Sequence, residues 1–350
     1  MTSPYEFTKE QWGSRLSEHP RFRTDQVWRG LWNEARELSD ITSIPRSLRE
    51  ELVEEFAPSL SIVSHVESDG GSTSKWAFLL PDGATVETVL MLYEDRATVC
   101  VSSQAGCAMG CTFCATGQAG FTRHLSPGEV LEQVMFAVRA AAPRRLSNVV
   151  FMGMGEPLAN YSVTSAVLRR LHQDRGMSAR HLTVSTVGVA PAIERLAREG
   201  LPVTLAVSLH AANDETRSEL VPLNRRYPIA RLREACQYWI ETTGRRVSFE
   251  WALIDGVNDT DRALGELSAL AWDLKAHVNL IPLNPTPGYL VRGSSKERVR
   301  EFRDGLRESG IAVSIRDTRG RSIAAACGQL AYVTDGRRRA VSLRPRAESR

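Results

Sequence analysis

Apolar residues recur along the chain at two spacings, and the change between them divides it. From about residue 8 to 56 the spacing is helical, with Val27, Trp28, Leu31, Trp32, Ala35 and Leu38 on one face and a second amphipathic run from Ser47 to Phe56. From Leu60 the period drops to two. Strands are expected at 60–67, 75–80, 86–93 and 97–102, separated by the turn formers Asp69-Gly70-Gly71 and Pro81-Asp82-Gly83. Further on, the periods alternate, with helices at 126–142, 161–174, 190–199, 229–243, 259–274 and 296–309. Between and after them stand apolar strands at 148–152, 181–186, 202–209, 247–254, 277–281 and 311–315. The fold class this predicts is α/β. Such a series closes wholly or partly into a (β/α) barrel, and a doubly wound open sheet produces the same periodicity. The organisation expected is an N-terminal helical domain at 1–58, a β-rich extension at 59–96, a barrel core at 97–318 and a C-terminal segment at 319–350.

A chain of 350 residues has room for this arrangement and a large core. It contains no run of eighteen apolar residues, and the start Met1-Thr2-Ser3-Pro4-Tyr5-Glu6 lacks a signal pattern, so a cytoplasmic protein without membrane contact is expected. A net charge of +3 neither requires nor excludes a nucleic acid. Arginine is concentrated in Arg337-Arg338-Arg339 and Arg344-Pro345-Arg346, and also at Arg21, Arg23, Arg29, Arg36, Arg46 and Arg49. These would suit phosphate contacts or would simply be solvated.

Six cysteines, at 100, 107, 111, 114, 236 and 327, are too unevenly spread for a disulfide framework. Cys107, Cys111 and Cys114 stand as CxxxCxxC before Ala115-Thr116-Gly117. Three thiolates from one loop hold three corners of a cubane iron–sulfur cluster and leave one iron open for chemistry. A closed zinc site is the alternative, with His124 as fourth ligand. Polar and small residues collect after the later strands, where a barrel puts its site: Gly153-Met154-Gly155-Glu156-Pro157, Ser185, Ser208-Leu209-His210 and Asn284-Pro285. Gly155 would admit close backbone approach to a ligand, and Glu156 would accept hydrogen bonds from an ammonium group. Cys236 falls on an apolar helix face with Leu232 and Ile240 and reads as core. Cys327, near Arg319 and Arg321, reads as a functional thiol, whereas Glu87 in its strand would ordinarily face solvent.

These motifs together resemble the radical S-adenosylmethionine (SAM) RNA methyltransferases of the RlmN/Cfr type over nearly the whole chain. The resemblance rests on residues 102–117, Gly153–Pro157, Ser208–Ala211 and Ala326-Cys327-Gly328-Gln329-Leu330, with Cys100 and Glu87 in register. It implies a barrel of the radical SAM type. Cys107, Cys111 and Cys114 would bind a 4Fe-4S cluster, and Gly155, Glu156, Ser185, Ser208, Leu209, His210 and Asn284 would line the SAM site. Two SAM molecules would be used per turnover. One would methylate Cys327, and the other would be cleaved reductively to a radical that abstracts hydrogen from that methyl group. Cys100 would resolve the protein–RNA adduct through a transient disulfide with Cys327, and Glu87 would take a proton from the reacting carbon.

The implied reaction is methylation of adenine C2 in 23S rRNA, at the peptidyl-transferase loop, and in tRNA, 3′ to the anticodon. A flavodoxin or ferredoxin would donate electrons to a monomeric enzyme. Carbon 2 of adenine has no lone pair with which to attack SAM, so a radical route is needed, and the base must leave its stack to enter the site. Methylation at C8 is the rival within the family. A non-catalytic, zinc-stapled RNA-binding protein is the rival outside it.

Overall fold

A computed structural model describes residues 2–284, 286, 291–317 and 319–330. The basic tail and Pro285 lie outside the described residues.

The strands are β1 (Ser61–Ser68), β2 (Thr73–Leu79), β3 (Thr85–Leu92), β4 (Ala97–Cys100), β5 (Gln104–Gly106), β6 (Phe121–His124), β7 (Leu146–Phe151), β8 (Leu182–Thr186), β9 (Thr204–Ser208), β10 (Ser248–Leu253), β11 (His277–Pro282) and β12 (Ala312–Ile315). Among the described residues one ten-stranded sheet runs β1-β2-β3-β4-β7-β8-β9-β10-β11-β12. Its first part is an antiparallel meander, β1 to β4. From β4 onward every pairing is parallel. β4 therefore joins the extension to the barrel strands, and among the described residues β1 and β12 are the outer strands of this sheet.

Helices cross between the parallel strands: α5 (Pro127–Ala140), α6 (Tyr161–Gln173), α7 (Ala190–Ala197), α8 (Asp214–Leu220), α9 (Ile229–Thr243), α10 (Asp261–Asp273) and α11 (Lys296–Glu308). Four small polar side chains start them. Ser126 caps α5 in a reciprocal box with Glu129, and Asn213, Thr260 and Ser295 cap α8, α10 and α11. The strand residues that pack against these helices are fully buried, among them Val149, Val184, Leu205, Phe249 and Leu280. The alternate set carries the polar residues Ser185, Ser208, Glu250 and Asn279. Parallel strands buried on both faces usually read as continuous apolar runs. The alternation here reflects an interior that holds cavities.

The N-terminal segment departs from the expected long helical stretch. It forms α1 (Lys9–Arg15), α2 (Phe22–Trp28) continued by a π-helical turn over Arg29–Asn33, and α3 (Arg46–Glu55). Prolines 20 and 45 disfavour helix at the residues before them, His19 and Ile44, and so divide the run. Its aromatic faces join the same apolar core as the barrel helices. Arg170 of α6 fastens it by donating to the carbonyls of Tyr5 and Phe7 and stacking 4.6 Å from the Trp32 ring. Glu132 of α5 accepts from the Ser59 N–H at 2.7 Å.

Periodicity also missed a short hairpin and a short helix. β5 and β6 pair antiparallel, Gln104 opposite His124 and Gly106 opposite Phe121, and close the base of the cysteine loop. At Gly106 (φ 76°) a Cβ would lie 2.0 Å from the Gly120 carbonyl oxygen, so no side chain fits there. α8 is the second element, and the tip of the loop rests on it through Thr112 N–H donating to the Leu220 carbonyl at 3.1 Å.

Candidate active site

The cysteine loop is held from three sides. Cys107 N–H donates to the Gly120 carbonyl (2.7 Å) and Cys114 N–H to the Cys111 carbonyl (3.2 Å), while Ala115 N–H reaches the carbonyl of Gly328 (2.7 Å). Cys114 lies immediately before α4 (Ala115–Ala119). These bonds bring the C-terminal segment, more than two hundred residues away in sequence, onto the loop.

Cys107, Cys111 and Cys114 line one cavity at the C-terminal ends of the strands. Gly155, Glu156, Ser185, Ser208, His210, Asn284 and Cys327 line it too. Three expected site residues do not. Leu209 is fully buried, its N–H donating to the Glu250 carbonyl at 3.0 Å. Cys100 lines a second cavity, which Cys327 also lines. Glu87 borders neither cavity.

Glu87 also corrects an expectation. It is 1 % exposed and ion-paired at 2.7 Å with Lys75. Its backbone carbonyl accepts from Ser102 Oγ at 2.6 Å, which sets this stretch of β3 against the segment leading into the cysteine loop instead of solvent. Lys75 donates in turn to the Ala324 carbonyl at 3.1 Å, close to Cys327 in the chain. Cys100 and Cys327, like the other four cysteines, stand as free thiols. Burial first, and then the neighbouring Cys327, push the Cys100 thiol up to about 12. Cys236 is buried on α9, as its apolar helix face required.

Glycine at 155 is explained by the protein itself. With φ 101°, a Cβ there would sit 2.6 Å from the Gln104 side chain. Gln104 Oε1 accepts the Glu156 N–H (2.8 Å), which seats the Gly153–Pro157 loop on the strand leading into the cysteines. The Glu156 carboxyl accepts the N–H groups of Leu158 (2.9 Å) and Val187 (2.8 Å). Burial nonetheless raises it from 4.5 to about 7. Between those values the folded protein retains a proton that the unfolded chain has lost, so stability should fall as pH rises through this window. Thermal melts across it should show Glu156→Gln removing part of the slope, on the order of 2 kcal/mol. An unchanged slope would mean that Glu156 ionises normally.

His210 has φ 58°, and its Nδ1 accepts the Ala252 N–H at 3.0 Å. Burial, aided by Arg217, lowers its pKa to about 3. A neutral ring accepting at Nδ1 must carry its proton on Nε2, which makes the residue a fixed donor. Asn284 Nδ2 donates to the Cys327 carbonyl at 3.2 Å.

Two arginines escaped the sequence reading. Arg316, just after β12, lines both cavities and ion-pairs with Glu250 at 3.5 Å. The charge of Cys327 is the leading cause of its raised pKa. Arg319, which sequence proximity favoured, donates to Ser72 Oγ (3.2 Å) and the Leu92 carbonyl (2.9 Å). The other is Arg217 on α8, buried behind the cavity. An arginine on a short charged helix reads as solvated, so nothing local marked it.

The donor set suits a cluster better than a single ion. Among the described residues no three His, Cys, Asp or Glu side chains converge as a mononuclear metal requires. His124, the fourth ligand of a zinc site, contacts Gln104 Nε2 through Nδ1 at 3.0 Å and is not part of the cavity wall. A cubane presents its irons at separate corners, and three thiols around one cavity match that. Burial pushes Cys107 up to about 12 and Cys111 well above the usual thiol range, so iron must displace their protons.

Comparison with known proteins agrees with this architecture. The Radical SAM superfamily pattern matches residues 101–266. A protein of Frankia alni named "Probable dual-specificity RNA methyltransferase RlmN" is 55% identical over 337 residues, 92% of this chain and 80% of that one. One of the same name from a Parafrankia strain is 53% identical, covering 92% and 89% of the two chains. The crystal structure of a radical SAM methyltransferase from Sphaerobacter thermophilus superposes with a TM-score of 0.91 at 48% identity, covering 94% of this chain and 99% of that one. With about half of its residues identical to these relatives over nearly its full length, and the same fold as the solved methyltransferase, this chain belongs to the RlmN family of radical SAM methyltransferases.

Proposed function

We propose that this protein methylates C2 of adenine in RNA, in the peptidyl-transferase loop of 23S rRNA and 3′ to the anticodon in tRNA. The names of its relatives support RNA as the substrate. The observation that carries the reading is the position of Cys327, the one cysteine on the walls of both cavities. A thiol there reaches the methyl source on one side and a substrate base on the other.

Cys107, Cys111 and Cys114 would hold the 4Fe-4S cluster. When bound, cluster and SAM supply the electron, the methyl group and the radical chemistry. Gly155 and Glu156 would receive the amino end of SAM, with Ser185, Ser208 and the Leu209 backbone beside it. His210 contributes its fixed Nε2–H donor. Asn284 holds the backbone of Cys327, whose sulfur carries the methyl group to the adenine. Cys100 supplies a second thiol across the other cavity, to release Cys327 from RNA. Glu87, tied through Lys75 to the segment bearing Cys327, would receive the proton.

Residues 1–58 would help hold the RNA, the extension and barrel spanning 59–96 and 97–318, with 319–350 as the catalytic segment. Arg36 and Arg46 are engaged with Glu34 and Glu50, so Arg21, Arg29 and Arg49 are the better phosphate contacts of the N-terminal set. A flavodoxin or ferredoxin would reduce a monomeric, cytoplasmic enzyme. No described helix is long and apolar enough to cross a membrane.

Anaerobic reconstitution followed by mass spectrometry of nucleosides from treated RNA tests the reading. A brown protein producing 2-methyladenosine in both RNAs is expected. Exclusive 8-methyladenosine would replace C2 by C8, and a colourless zinc protein indifferent to SAM would overturn the proposal.

A further inference from the structure

Arg217 is 1 % exposed, and each of its donors meets a neutral acceptor. Nε donates to the Leu209 carbonyl (3.1 Å), Nη1 to Asn224 Oδ1 (2.9 Å) and Nη2 to the Val187 carbonyl (2.6 Å). No carboxylate pairs with it among the described residues. Asp214, on the same helix, turns its Oδ1 to Asn224 Nδ2 (2.9 Å) and the Ile229 N–H (2.8 Å). A buried charge without a counter-charge costs on the order of several kcal/mol. The site therefore ought to contain an anion in its working state.

Its surroundings indicate where that anion lies. Val187, whose carbonyl Arg217 Nη2 binds, lines the cavity together with Cys111 of the cysteine loop, and Cys111, Asp214 and Cys236 are the groups whose charge would act on the guanidinium. Cys236 is a buried neutral thiol, pushed up to about 12. The loop itself rests on α8 through the Thr112–Leu220 bond. The carbonyls that Arg217 binds follow β8 and β9, beside the cavity-lining Ser208 and His210. Burial lowers the guanidinium only to about 10, so it is a cation at neutral pH.

We propose that Arg217 is a positioning residue whose fixed positive charge offsets the negative charge of the thiolate-bound cluster and so sets how readily that cluster is reduced. This rests on the cluster reading above. Reduction transfers one electron from a low-potential donor protein to the cluster, and no bond forms or breaks at Arg217. The electron adds negative charge to an assembly already made anionic by three thiolates. A nearby cation in a poorly polarisable interior favours that step.

A redox titration read by electron paramagnetic resonance separates this role from that of a mere staple. With Arg217→Gln, the ratio of reduced to oxidised cluster at a fixed potential should fall about tenfold, a midpoint about 59 mV lower for one electron. Arg217→Lys keeps the charge and loses the fan of hydrogen bonds, so its ratio should stay within about twofold of the unaltered protein. Equal shifts in the two variants, or none in the glutamine variant, would overturn the proposal. Should the glutamine variant fail to take up a cluster that the lysine variant binds, the charge is again required. Equal failure of both would reduce Arg217 to a staple and end the proposal. An unaltered protein that takes up no cluster would instead refute the cluster reading.

Discussion

Replacing Cys327 by alanine is expected to abolish methylated product, a loss on the order of a thousandfold or more in turnover, while the iron–sulfur absorption persists. The local structure explains why the loss should be confined to chemistry. The carbonyls of residues 327 and 328 accept from Asn284 and Ala115, and neither bond involves the sulfur. The side chain projects between two cavities and not into the apolar core. Removing one sulfur there takes away the group that would bridge methyl source and base, and leaves its supports in place. Cys236→Ala is the matched control. That thiol is 1 % exposed on α9, so its loss should cost about 1 kcal/mol of stability and leave product formation intact. Nucleoside mass spectrometry after anaerobic assay reads both variants. Full turnover by the Cys327 variant would mean that no methyl group passes through this residue.

Cys111→Ala should eliminate the cluster, and with it every detectable turnover. Cys111 is 7 % exposed on the cavity wall, and its neighbour Thr112 is fixed to the end of α8 through the Leu220 carbonyl, which holds this corner of the ligand set in place. Two thiolates cannot retain a cubane whose remaining iron is left for SAM. The cluster-free chain should be affected little. Its thiol is held neutral by burial, and the alanine removes only a small apolar volume, at a cost of about 1 kcal/mol. The melting temperature of the reconstituted protein should therefore fall, on iron chelation, to that of the variant. Charge-transfer absorption in the variant equal to that of the unaltered protein would remove Cys111 from the ligand set.

The two variants mark different depths of legibility. The Cys111 site was readable because CxxxCxxC compresses its ligands into eight residues, where spacing alone restricts geometry. The alternation of strand and helix from residue 126 was equally plain, since each period reports which face of a local element is buried. The strands observed between Leu146 and Ile315 fall where those periods put them. The N-terminal run was legible in its apolar positions and not in its breaks, because prolines 20 and 45 interrupt it without removing its buried aromatics. β5 and β6 are three and four residues long, too short for any period, and exist because a loop had to be closed at its base.

What the sequence by itself determined is the order of elements, the cysteine loop and the clustering of small polar residues after the strands. All of these are consequences of short-range pattern. Only the tertiary structure decided that Cys327 shares a wall with Cys100, that Glu87 is buried against Lys75, that His210 is held neutral with its proton on Nε2, that Arg316 lines both cavities and that Arg217 is buried behind the first. Each depends on groups far apart along the chain, joined by hydrogen bonds such as that from Ala115 to Gly328. Burial and charge act through space, and a residue's neighbours in sequence do not reveal which distant group the fold will set against it.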